Sequence, residues 1–231
     1  MFGKIKNWFK NYWYYYKWGV IIAAVFITII LICVFQSASK EKYDANVIYV
    51  GPHMFGVNEK SSISSAFEQI MDDYNKDGKK VVDIVDMPAF TDEQIKDAIG
   101  ESPSDEVLIK YAPYTVGRVK QQFSNIIAGD GYICLLDQYW YDILKDASAL
   151  VPLEDVIGYK PDNMIDEYSV LLSDLDFYDY FNESVGKLPS DTIVCFRVMP
   201  TTSAFTGVKE ARKMYGYSME LFKAMFAFDA P

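Results

Sequence analysis

The sequence predicts an α/β protein: one N-terminal transmembrane helix followed by one three-layer, mainly parallel-sheet lobe. Three observations carry that reading. Gly19–Phe35 is a 17-residue run without a charge, residues 47–85 read strand–helix–strand, and residues 115–136 read helix, glycine turn and strand. Apolar runs that alternate with helical faces are the pattern of a parallel sheet covered on both sides.

The first element decides where the rest must work. At 1.5 Å per residue the run makes roughly 26 Å of helix, at the short end of what crosses a bilayer core. Lys4, Lys6, Lys10 and Lys17 precede it with no acid before residue 40. The positive-inside bias therefore puts the N-terminus in the cytoplasm and the remainder outside. Trp8, Trp13, Tyr14, Tyr15, Tyr16 and Trp18 crowd the same flank, where amphipathic rings settle at headgroup level. The expected organisation is a leader at 1–18, the membrane helix at 19–35, a stalk at 36–45 and an extracytoplasmic α/β domain at 46–231. Ser37-Ala38-Ser39 offers small residues at the spacing a signal peptidase uses, so cleavage is the alternative to a retained anchor. Cys33 follows Ile32 inside the run, which does not suit lipidation.

Within the ectodomain, Val47–Val50 reads as a buried strand ended by Gly51-Pro52. Ile63, Ala66, Phe67, Ile70, Met71 and Tyr74 trace one helical face over 62–75. Asp77-Gly78 stops that helix, and 81–86 is the next strand. Thr91 caps a short helix through Ile99, and Ser102-Pro103-Ser104 breaks the chain. Val116, Val119, Phe123, Ile126 and Ile127 mark a helix at 115–128, which turns through Gly129-Asp130-Gly131 into the strand 132–136. Gln138–Ala147 is a further helix. Residues 150–190 are irregular and rich in acids and tyrosines, 192–198 returns as a strand, and 207–228 closes as an amphipathic helix.

Charge and composition narrow the function. Four of the 22 cationic residues lie in the leader, so residues 40–231 carry 18 cations against 32 acids, a balance of −14. That field disfavours nucleic acid and anionic lipid. Cys134 and Cys195 sit in apolar strand runs, either as buried free thiols or as a disulfide if the strands bring them together. His53 is the only histidine, and no nucleophile motif accompanies it. Asp73-Tyr-Asn75-Lys-Asp77-Gly78 imitates the start of a calcium loop, but its twelfth position is Ile84 rather than a carboxylate; a turn between helix and strand is the better reading. Asp162, Asp166, Glu167, Asp174, Asp176 and Asp179 read as a solvated acidic face. The sequence points to no enzyme, cofactor or metal.

The string from Phe123 to Asp137 (FSNIIAGDGYICLLD), a following helix, and Ala149–Asp155 (ALVPLED) resemble the first lobe of extracellular solute-binding proteins of bacterial ABC importers. The resemblance covers residues 46–157. The aromatic leader and helix look like the anchors of single-pass membrane proteins of Gram-positive anaerobes. The likeness implies a binding lobe, not a catalyst. Such receptors close two lobes on a ligand, and fewer than 80 residues follow Glu154, too few for a second lobe. A shallow site is therefore expected, at the C-terminal strand ends where open parallel sheets hold ligands. His53, Asp137, Gln138, Tyr139 and Trp140 are the candidate ligand-binding residues, although Trp140 also shares a helical face with Ile143 and Leu144. A protein partner, a small solute delivered for import, and an assembly role within a membrane complex are the expected uses. An apolar patch at Phe177, Tyr178, Tyr180 and Phe181 would favour the first or the last.

Overall fold

The computed structural model describes residues 2–38, 43–100, 104–127, 129, 131–199 and 207–230. They fall into two units, Met1–Lys42 and Tyr43–Pro231. The first is a single helix, α1 (Phe2–Ala38). Leader and apolar run are thus one continuous rod, because nothing between them breaks a helix. Its stretch Trp13–Phe35 is long and apolar enough to cross a membrane, at about 35 Å by the α-helical rise. Its side chains are exposed, Phe26 and Phe35 by 62% and 70%, as a surface facing lipid rather than water would be. Of the stalk expected at 36–45, residues 39–42, with Ser39 of the candidate cleavage motif, lie outside the described residues; 36–38 continue α1, and Asp44 and Ala45 are buried rather than exposed linker.

The second unit begins with β1 (Ala45–Gly51), α2 (Val57–Ile70) and β2 (Val82–Pro88). Then come α3 (Asp92–Ile99), α4 (Asp105–Tyr111), α5 (Val116–Ile126) and β3 (Ile133–Leu136). The chain continues through α6 (Gln138–Asp146), α7 (Leu153–Ile157), and the short strands β4 (Met164–Asp166) and β5 (Ser169–Leu171). It closes with α8 (Asp176–Tyr180), β6 (Ile193–Phe196) and α9 (Val208–Phe226).

One six-stranded sheet organises these elements in the order β2-β1-β3-β6-β5-β4. The pairs β1–β2 and β1–β3 are parallel, as the sequence predicts, and β1–β2 is the longest pairing in the sheet. The strand expected at 192–198 does pair with β3, but antiparallel. It then continues antiparallel into the hairpin of β5 and β4. An apolar run shows that a strand is buried but not which way it points, so the direction of β6 was not legible. The hairpin lies within the stretch expected to be irregular; three-residue strands are too short to display alternation.

Alternation across the sheet builds the three layers. Val47, Tyr49, Ile133, Leu135, Val194 and Phe196 face α2, α7, α8 and α9, with Phe67, Phe177, Leu221 and Phe222 among the buried side chains. Ile48, Val50, Cys134, Leu136, Ile193 and Cys195 face α5 and α6, against Phe123, Trp140 and Leu144. The residues whose exposure would favour a partner or assembly role are mostly covered: Phe177 is fully buried, and Tyr180 alone of the four is exposed. Its ring packs against Phe228 at 5.3 Å.

Helix α2 starts earlier and stops earlier than its apolar face suggests. Glu59 folds back to accept from the Gly56 amide, which nucleates the first turn. At the other end the backbone turns extended at Met71, and side chains take over the amides beyond it. Asp73 accepts from the amides of Asp77 and Gly78, Asn75 from Asp77, and Asp77 from Lys79. These bonds compete with helix, and the turn needs the left-handed conformation of Gly78 at φ 87°. The oxygens that imitate a calcium loop thus serve the backbone. Asp44, completely buried, accepts from the amides of Asn75 at 2.9 Å and Val81 at 3.1 Å, pinning this turn to the start of β1.

Arg197, also buried, grips the turn before β3. Its Nη2 donates to the carbonyls of Gly129 and Gly131, both at 2.8 Å, and its Nε donates to Gly131 at 3.1 Å. The guanidinium lies over the Tyr132 ring, 5.4 Å from its centroid.

Candidate functional site

The C-terminal ends of β1 and β3 and the start of β6 meet on one rim of the sheet. Tyr49 stands at its centre. The side chain is 1% exposed, and its hydroxyl is buried without a hydrogen-bond partner. Burial, and then the charges of Asp137 and Asp191, push its pKa far above the usual phenol range, so the hydroxyl is a neutral donor. The His53 amide works against that rise without completing a hydrogen bond. Gly51 makes room for it: a Cβ there would lie 2.7 Å from the Tyr49 oxygen.

His53 follows on the same rim. Its Nε2 lies 2.6 Å from Glu59 Oε1, in the first turn of α2. Both side chains are largely covered, at 25% and 16% exposure. Burial alone would raise the Glu59 pKa, but the Gly56 amide, the His53 ring and Lys187 outweigh it and hold it below the usual value. The His53 ring also meets Phe55 edge to face at 5.1 Å.

Asp137 caps α6. Its Oδ1 accepts from the Tyr139 amide at 2.9 Å, and its Oδ2 accepts from Gln94 Nε2 at 2.9 Å. Gln94 is itself held by the capping box of α3, in which Thr91 and Gln94 exchange side-chain and backbone bonds. The next three candidates diverge. Gln138 is exposed and donates to Asp142 at 2.8 Å. Tyr139 is 36% exposed, with its ring edge to face on Trp140. Trp140 is 1% exposed and packs on Phe123 at 4.7 Å between ring centroids. A ring so enclosed cannot stack on a ligand in the folded domain.

Tyr49, Glu59, Gln94 and Asp191 join this rim without having been foreseen from the sequence. The available signal was Tyr49-Val50-Gly51, in which a phenol and a glycine share one face of a strand end. The rim offers an imidazole–carboxylate pair, a neutral phenol and an exposed tyrosine, but no activated nucleophile among the described residues. None of three surface hollows is lined by its candidate residues. A hollow of about 290 Å³ lies between α2 and β2, one of about 240 Å³ beside Asp166, and one of about 360 Å³ beside Tyr180. Among the described residues, no three histidine, cysteine or acidic side chains gather where they could hold a metal ion. No protein-family model, no curated protein and no solved structure matches this chain.

Proposed function

We propose that the chain is a membrane-anchored extracytoplasmic binding protein, without catalytic activity, that docks a protein or peptide partner on the strand-end rim. The observation that carries this reading is the form of the domain. Tyr43–Pro231 is one compact unit, and its rim is an open surface bearing Tyr139, Gln138 and one edge of the largely covered His53. A surface of that kind buries too little of a small solute to hold it tightly, whereas a partner covers it over a broad area. The apolar span of α1 and the cations before it support an anchor with the N-terminus inside. The acidic ectodomain favours a neutral or basic partner over nucleic acid.

The test uses the full chain in intact membranes. A photoreactive residue in place of Tyr139 should cross-link one discrete partner. The same residue in place of Lys79, at the opposite end of the strands, should not. Titration calorimetry that gives submicromolar binding of a sugar or an amino acid would overturn partner docking and favour the solute-import reading.

A further inference from the structure

Cys134 on β3 and Cys195 on β6 are directly opposite each other in an antiparallel ladder. Both side chains belong to the same face of the sheet, neither is more than 1% exposed, and both are free thiols. The Arg197 amide donates to the Tyr132 carbonyl at 2.9 Å, which makes Tyr132 and Arg197 a pair that exchanges hydrogen bonds. Two residues along each strand, Cys134 and Cys195 are the next pair of that kind, with a Cα separation of about 5.5 Å. Disulfides bridge separations of roughly 4.4–6.8 Å. Cys134 Sγ lies 3.9 Å from the Tyr132 carbonyl oxygen, which accepts from it.

We propose that Cys134 and Cys195 form a dithiol that closes to a cross-strand disulfide at the expense of an external organic disulfide. The thiolate of Cys134 attacks one sulfur of the oxidant R–S–S–R, forming a mixed disulfide and releasing R–S⁻. The Cys195 thiolate then attacks the Cys134 sulfur, forming the intramolecular bond and releasing the second R–S⁻. Two electrons pass from the protein to the oxidant, and the two thiol protons end on the two released thiols. Cys134 acts first because the facing Cys195 thiol and then the Arg197 charge favour its thiolate against burial, whereas burial pushes the Cys195 thiol up. Since both sulfurs are buried, the oxidant reaches them during folding or when the sheet opens. Closure then ties strands far apart in sequence and removes freedom from the unfolded chain. The inference goes beyond partner docking; it draws on the proposed location only for the presence of an oxidant.

The experiment takes the purified full chain in detergent, unfolded in urea and refolded with oxidised glutathione. Peptide mass analysis should show Cys134 and Cys195 linked and two hydrogens lighter, with Cys33 outside the link. The linked form should melt roughly 5–10 °C higher than the reduced form, and dithiothreitol should reverse the shift. A Cys33→Ser variant should behave identically. Recovery of Cys134 and Cys195 as free thiols or as separate glutathione adducts would overturn the proposal, as would a link through Cys33. Alkylation of intact cells before lysis separates the two readings. A pair linked in vitro but free in cells leaves the dithiol standing and counts against the extracytoplasmic placement.

Discussion

The Tyr141 hydroxyl lies 2.6 Å from both carboxylate oxygens of Asp166, joining α6 to the hairpin of β4 and β5. Lys145 reaches the same carboxylate at 2.6 Å, and the Tyr168 amide and Ser169 hydroxyl donate at 2.9 and 3.0 Å. Burial alone would raise the Asp166 pKa, but Lys145, Tyr141, the Tyr168 amide and Ser169 together pull it down to about 2. The folded value lies below that of an unfolded aspartate, so the ionised group favours the native state. That contribution is complete above about pH 4 and fades as pH falls towards 2. Acid unfolding of the wild type should steepen in that window, and Asp166→Asn should flatten it while costing about 2 kcal/mol at neutral pH. An unchanged acid profile in the variant would place the acid sensitivity elsewhere.

Asp44→Ala should be among the most damaging substitutions in the domain. It leaves the amides of Asn75 and Val81 without their acceptor in a fully buried position. The expected loss is about 3 kcal/mol in urea unfolding, and hydrogen exchange should quicken first at β1 and β2.

Gly51→Ala drives a methyl group into the Tyr49 hydroxyl, at a cost of about 1–3 kcal/mol. Tyr49→Phe removes an unpartnered buried oxygen and should leave stability unchanged or raise it by about 1 kcal/mol. In the double variant most of the glycine penalty should vanish. Additive effects in that cycle would show that the two residues do not press on each other.

Trp140→Ala and Tyr139→Ala should part company. The buried indole should cost about 3–5 kcal/mol of stability. The exposed phenol should cost under about 0.5 kcal/mol yet weaken cross-linking to the docked partner. Thermal melts read the first effect and partner capture the second.

The anchor is tested by labelling. In a background without native cysteines, Glu183→Cys should react with an impermeant maleimide on intact cells, and Asn7→Cys only after permeabilisation. Mass analysis of the extracted protein should find the N-terminus of the leader intact.

Some of this architecture was open to reading from the sequence, and some was hidden for definite reasons. Val47–Val50 and Ile133–Leu136 are apolar on both sides because both faces are covered, and a helix precedes each strand that joins β1, as a parallel crossover requires, so their parallel pairing was legible. The face of α2 was legible through Ile63, Ala66 and Phe67, but its ends were not. Glu59 and the Asp73–Asp77 turn set those by side-chain bonds to backbone that hydrophobic spacing does not record. At the rim, topology indicated the neighbourhood of His53 and Asp137 without revealing their engagements. Glu59 is joined to His53 by the entry angle of α2, and Gln94 to Asp137 by a helix more than 40 residues earlier. Trp140 was ambiguous because one aromatic side chain suits a core and a binding surface equally.

The strand order β2-β1-β3-β6 also has a consequence in time. As the chain is synthesised, β1 and β2 can pair once Pro88 has emerged, yet the far edge of β1 must wait for Ile133, and that of β3 for Ile193. During both intervals an apolar strand offers unsatisfied amides to whatever is near. Loop closure over such separations is slow. The nascent α/β domain is therefore most prone to aggregate before its last strand arrives, and a ribosome stalled between residues 136 and 193 would hold it in its stickiest form.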